Sequence, residues 1–222
     1  MHAHQLRFRF LNVTLPVALL VLLGTFAAKA QRGGDNDPDR AVKGKGFPAG
    51  WNVRPDRGTA AQINFSQAGE VLHFVMGPAG TFYRDDWTKS GNYTFSARLT
   101  QLKAPSHEIS YGLMFGGSNL GTPNPTYTYF LVHNSGAYFI SNWEGARPQT
   151  VVNWTEHAAV AKQGADGKQT NTLGVQVQGD NVIFSVNGTE VNRLPKSRLH
   201  TDGLYAFRIG HNLDVDVDQV KR

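Results

Sequence analysis

Two kinds of residue in this chain could do chemistry: carboxylates, and aromatic rings interleaved with amides. A glycosidic bond is cut by two carboxyl groups held about 5–5.5 Å or 6.5–9.5 Å apart, and acids at i and i+2 of one strand would share a face at such a spacing. No E-x-D-x-x-E pattern occurs. The candidate catalytic acids are therefore Glu144, beside Trp143 in SNWEGAR, and Glu108. In a rim loop next to Trp143, Glu144 could accept sugar hydroxyls or share a proton at the scissile oxygen. Its ordinary role would be a surface ion pair with Arg147, which is worth little.

Asp214, Asp216 and Asp218 alternate with Leu213, Val215 and Val217 in HNLDVDVDQV. Three like charges on one face persist only if they are solvated, paired with bases or bridged by a hard cation. Two readings stay open: the outward face of an edge strand, where charge discourages further pairing, and a structural Ca²⁺ held by these aspartates. No other cofactor is expected. Asp85-Asp86 in YRDDW reads as a turn with a local arginine pair.

The rings are concentrated between Tyr127 and Trp143, among asparagines and an arginine. Flat apolar faces beside a few oriented polar groups are what a saccharide site uses. The candidate ligand set is Tyr127, Tyr129, Tyr138, Trp143, Asn134, Asn142 and Arg147, with Trp143 and Tyr138 expected to be exposed because they flank turns. Core packing would use the same rings.

Other chemistries are excluded or weakly signalled. The chain has no cysteine, so thiolate metal sites and cysteine nucleophiles are out. It has no G-x-S-x-G elbow, GxGxxG or P-loop. His73, His107, His133, His157, His200 and His211 are scattered, without the i, i+2 or i, i+4 spacing that puts two imidazoles on one ion. A zinc site would need histidines brought together from distant segments. No run of basic residues is interleaved with rings as a nucleic-acid groove requires.

The elements that must position these groups are strands. Tyr93, Phe95, Ala97 and Leu99 fall on one side of a period-two pattern, as do Ile109, Tyr111, Leu113 and Phe115. In YTYFLV both alternating sets are apolar, which predicts a central strand with one face in the core and the other lining a groove. Leu173–Val191 reads as an antiparallel meander, turning at Gly179–Asn181 and at Asn187-Gly188. Leu204–Ile209 and Leu213–Val220 read as a closing strand pair. Around Thr155, TEHAAVAKQG fits two helical turns or an irregular excursion equally well. Some twelve short strands with Gly-rich turns argue for an all-β antiparallel sandwich of jelly-roll type.

The N-terminus is different. Residues 1–30 carry Arg7, Arg9 and Lys29 with no acid, an apolar run from Leu15 to Ala28, and Ala28-Lys29-Ala30. This is the pattern of a cleaved export signal, and it predicts a secreted or periplasmic protein without a membrane anchor. Of 22 basic residues 19 then remain against 17 acidic ones, so the charge falls from +5 to +2. Residues 31–50, rich in glycine and charge, read as a flexible linker, with the folded domain spanning 51–222.

The ordered segments GNYTFSARL, ISYGLMFGGS, YTYFLVHNSGAYFISNWEG, NTLGVQVQGDNVIFSVNGTEV and DGLYAFRIGHNLDVDVDQV resemble the concanavalin A-like lectin/glucanase superfamily. The similarity is nearest to bacterial secreted domains of unknown function related to keto-disaccharide hydrolase domains. The resemblance implies two curved antiparallel sheets, with glycans bound on a concave face. The closely spaced acidic motif of the glucanase relatives has no match here, and no catalytic residue of the keto-disaccharide hydrolases aligns. The expectation is a lectin-like domain that binds a glycan or small saccharide. A hydrolase acting on a (keto-)disaccharide or glycan, and a structural or protein-interaction domain, are the alternatives.

Overall fold

The computed structural model describes residues 37–222; the export signal expected over residues 1–30 lies outside the described residues. Pro38–Arg222 forms one compact unit. Its strands are β1 (Asn52–Pro55), β2 (Ile63–Ala68), β3 (Val71–Met76), β4 (Gly80–Lys89), β5 (Tyr93–Gln101), β6 (Ser110–Ser118) and β7 (Thr126–His133). They continue as β8 (Ala137–Glu144), β9 (Arg147–Glu156), β10 (Gln169–Gln178), β11 (Asn181–Val186), β12 (Thr189–Pro195), β13 (Gly203–Ile209) and β14 (Asp214–Lys221). All pairings are antiparallel. A front sheet has the order β1-β4-β13-β6-β7-β8-β9 and a back sheet the order β12-β11-β10-β5-β14-β3-β2. This is the expected all-β sandwich.

Alternation puts one side of each strand into a shared core. Phe95, Leu99, Val175 and Phe184 from the back sheet meet Tyr111, Leu113, Phe130 and Phe207 from the front sheet, all fully or almost fully buried. Each such side chain contributes about 1.5–3 kcal/mol of hydrophobic stabilisation. The meander forms as read: Asn187 and Gly188 have φ of 52° and 83°, the left-handed values that a two-residue hairpin turn demands.

Three expectations change. The last two strands are not partners: β13 lies between β4 and β6 of the front sheet, whereas β14 lies between β5 and β3 of the back sheet. The Gly210–Leu213 turn therefore crosses from one sheet to the other. The segment after Thr155 is not helical; β9 runs to Glu156 and turns follow. Residues 38–50 are not a free linker. The Arg40 guanidinium donates to Met76 O (2.7 Å) and Leu213 O (2.8 Å) and pairs with Asp214. Gly44 N donates to Ala61 O (2.8 Å), and the Phe47 ring packs on Phe65 and Phe82 at 5.7 and 6.2 Å. The sparse apolar content of this stretch hid a single well-placed ring and a guanidinium that satisfies strand-end carbonyls.

Candidate functional site

β7 is the strand on which both faces are apolar, and it separates two clusters. Phe130 and Val132 point into the core between the sheets, while Tyr127, Tyr129 and Leu131 point outward. The outward side chains form a second cluster on the front sheet with Met114 and Ala206, flanked by the half-buried Tyr83, Phe139 and Trp143. Register explains who meets whom: Met114 and Ser141 lie opposite Tyr129, and Trp143 lies opposite Tyr127.

The cluster is roofed from its own chain. The loop between β6 and β7 carries Leu120, 3% exposed, into the cluster. Arg54 of β1 ties that loop down by donating to Leu120 O (2.7 Å) and Thr122 O (2.6 Å). Tyr127 and Tyr129 are consequently buried at 4% exposure each. Their rings lie 4.6 Å apart, and Trp143 stacks on Tyr127 at 5.8 Å and 28°. Burial pushes the Tyr127 phenol well above its ordinary range, with Tyr129 adding to the effect, so it stays protonated.

Polar groups border the rings on the β1 side. Tyr129 Oη and Thr81 Oγ1 share a hydrogen bond of 2.8 Å. The Arg208 guanidinium stands 5.5 Å from the Tyr129 ring centroid and donates to Asp56 (2.6 Å through Nη1). Burial would discharge Arg208, but Tyr129 and Asp56 outweigh it and hold the group firmly cationic. On the opposite side, Trp154 of β9, at 40% exposure, is an outlying platform. It stacks on Phe139 at 4.9 Å and 25°, and its ring lies 4.2 Å from His133.

Of the sequence-predicted ligand residues, Tyr127, Tyr129 and Trp143 come together on this face. Tyr138 does not: it is 3% exposed and belongs to the inter-sheet core, its hydroxyl donating to Val191 O (3.0 Å). Its register partner is Val132, so alternation aims it inward and the expected exposure fails. Asn142, adjacent to Trp143 in the strand, also turns away. It accepts from Thr128 Oγ1 (2.8 Å) and donates to Arg198 O (2.8 Å). Asn134 sits in the β7–β8 turn, and Arg147 is exposed at the start of β9.

The acids are dispersed. Glu144 ends β8 rather than occupying a loop, and alternation puts it on the opposite face from Trp143. Arg147 is its register partner, while His200 Nε2 stands 3.6 Å from its carboxylate. Glu108 lies just before β6, 3.9 Å from His133 Nε2. His133 and Thr126 mark the two ends of β7, so Glu108 and Glu144 are held about 23 Å apart by seven strand residues, far outside the reach of one glycosidic bond. Asp214, Asp216 and Asp218 do share a strand, but it is central rather than an edge. Each carboxylate has its own base: Arg40 and Lys103 for Asp214, His73 for Asp216 (2.7 Å) and Arg98 for Asp218 (2.5 Å). Asp86 pairs with Arg84 (2.9 Å) as read, though within β4 and not in a turn.

Arg54, Arg208, Phe139, Trp154 and the roofing Leu120 were missed. Phe139 shares the face of Trp143 by plain alternation along β8, whereas Trp154 is brought to Phe139 by the irregular pairing of β8 with β9, which no local pattern reveals. Also unanticipated is a cleft of ≈ 820 Å³ lined by Trp51, Trp87, Glu70 and Arg222, in which Arg222 covers the Trp87 ring at 5.0 Å.

No protein family and no curated protein matches the chain. Solved structures do. The carbohydrate binding module CBM66 from Bacillus subtilis is similar with a TM-score of 0.57 at 11% identity, covering 82% of this chain and 98% of that one. The Bacillus licheniformis beta-glucanase has a TM-score of 0.52 at 9% identity, covering 84% and 100%. The Bacteroides ovatus mixed linkage glucan GH16 protein, solved in complex with a G4G4G3G product, has a TM-score of 0.52 at 11% identity, covering 77% and 93%. The fold is the concanavalin A-like jelly roll.

Proposed function

We propose that this concanavalin A-like sandwich binds a saccharide across the outward face of its front sheet and does not cleave it. The observation that carries the reading is the pair of ring platforms on that face, Trp143 stacked on Tyr127 and Trp154 stacked on Phe139. Trp143 and Phe139 are four residues apart on β8, about 13 Å, a span that suits an oligosaccharide better than a single sugar. Arg208 with the exposed Asp56 supplies fixed donors and acceptors beside the rings. The separation of Glu108 from Glu144 favours binding over hydrolysis. The carbohydrate binding module and the glucan-complexed GH16 protein among the structural neighbours are in keeping with a saccharide ligand. Export directed by residues 1–30 would place this binding in the periplasm or outside the cell.

Affinity electrophoresis against soluble polysaccharides, with product release measured on the same samples, tests the reading. Retention without product is expected, and Trp143→Ala or Trp154→Ala should each weaken it about tenfold, since a ring contact is worth about 1.5 kcal/mol. Release of product that Glu144→Gln or Glu108→Gln abolishes would replace binding by hydrolysis. Retention indifferent to both tryptophans would remove the site from this face.

A further inference from the structure

Outside the ring face, two histidines separated by 104 residues meet at one end of the sandwich. His107 stands in the connection between β5 and β6, and His211 in the turn that crosses from β13 to β14. Their Nε2 atoms face each other at 3.4 Å. Two Zn–N bonds of 2.0–2.1 Å at the tetrahedral angle place their nitrogens about 3.3–3.4 Å apart. A direct hydrogen bond would draw them closer, to about 2.7–3.2 Å. We propose that His107 and His211 are two ligands of a divalent transition-metal site, with zinc the best fit.

The surroundings are arranged as an outer shell. His211 is 5% exposed, and its Nδ1 lies 3.2 Å from Asp39 Oδ1. A carboxylate on the far nitrogen fixes the ring and leaves the Nε2 lone pair to the metal. Asp39 is itself gripped by Arg57 through two bonds of 2.8 and 2.7 Å. That grip is also what keeps its carboxyl below the ordinary range. Arg57 Nη2 comes within 3.2 Å of His211 Nδ1 as well, so the positive charge nearest the site is already neutralised by Asp39. On the other imidazole, Nδ1 meets Ser106 Oγ at 3.1 Å, which turns Nε2 toward His211.

The turn that carries His211 is rigid. Asn212 takes a φ of 58°, accepts from Arg40 N (2.7 Å), donates to Pro38 O (3.0 Å) and bonds through its own amide to Gly77 O (3.0 Å). Pre-set imidazoles lose little freedom when they close on an ion. Imidazole suits zinc, copper and nickel, whereas calcium asks for oxygen ligands. A third position falls to Asp37, which offers a carboxylate oxygen within 4.8 Å of ring nitrogens of both histidines, and the fourth to water.

The test is equilibrium dialysis and calorimetry of the chelator-stripped, untagged protein with Zn²⁺, repeated with Co²⁺ for its visible absorption. One equivalent should bind and raise the melting temperature, with the cobalt form showing the intense bands of a tetrahedral site. His107→Ala and His211→Ala should each abolish that equivalent, while Asp39→Asn should weaken it by about 10–100-fold, the range for an outer-shell partner. His107 is half-exposed in a loop, so its variant should keep the metal-free melting temperature and separate lost binding from lost folding. His157→Ala, a distant control, should change nothing. Failure of the wild type to bind one equivalent, or binding that survives His107→Ala, overturns the proposal.

Discussion

His133 ends β7 with its Nδ1 accepting from the Ser135 amide (3.3 Å) and hydroxyl (2.9 Å), beneath the Trp154 ring. Burial lowers its affinity for a proton below the ordinary value of 6.5, and Glu108 opposes this without overcoming it. Because the unfolded chain then binds the proton more readily, the stabilisation is complete above about pH 6.5 and is lost as pH falls through the depressed folded value. Between pH 7.5 and 5.5 the wild type should therefore lose more melting temperature than His133→Gln does; equal losses would show the imidazole is not held neutral. Asp214 has the reverse balance of causes. Burial raises its carboxyl, but the bonds from Arg40 and Lys103 outweigh it and the net shift is downward. Asp214→Asn strips Arg40 of its counter-charge at a largely buried position and should cost about 1–3 kcal/mol in urea unfolding. Glu190→Gln, which breaks the half-exposed pair with Arg193, should leave the urea midpoint nearly unchanged, because an exposed pair is screened by solvent.

Two glycines separate what an element asks of its own residues from what its neighbours ask. Gly188 needs only its backbone freedom: φ is +83° and a Cβ there would meet nothing within 4 Å. Gly188→Ala should cost about 1–2 kcal/mol from the left-handed conformation alone. Gly112 lies mid-strand in β6, between Leu131 of β7 and Arg208 of β13. A Cβ there would stand 2.2 Å from Phe130 O, so Gly112→Ala must push two central strands apart. It should cost about 3 kcal/mol and loosen the ring face above it, read as a lower melting temperature together with weaker saccharide retention. The Asn187-Gly188 turn was legible because its chemistry is local. Gly112 carries no local signature, since its requirement comes from a strand eighteen residues further along the chain.

For the molecule as a whole, the seam along residues 38–50 determines where the domain can be cut. Phe47 covers Phe65 and Phe82, and Arg40 reaches the ends of β3 and β14. A chain starting at Trp51 should melt lower than one starting at Pro38, by several degrees if only the Phe47 burial of about 2–3 kcal/mol is lost. The amide of Gly44, bonded to Ala61 O, should resist hydrogen exchange in the longer chain. Identical melting temperatures and an unprotected Gly44 would return this segment to the status of a linker.

Period two in the sequence determined the fold class and the phase of most strands, because side-chain alternation is a property of the local backbone. The same alternation already separates Trp143 from Tyr138, Asn142 and Glu144, which grouping by proximity in sequence had put together. What only the tertiary structure decided is which sheet each strand joins and what arrives from elsewhere. β13 and β14 part company, the aspartate strand becomes central, Leu120 and Arg54 close over the tyrosines, and His107 reaches His211. These outcomes depend on long-range closure between the two sheets, where packing and hydrogen-bond satisfaction over the entire core select the partners. Residues 104 positions apart leave no periodic trace of such a meeting.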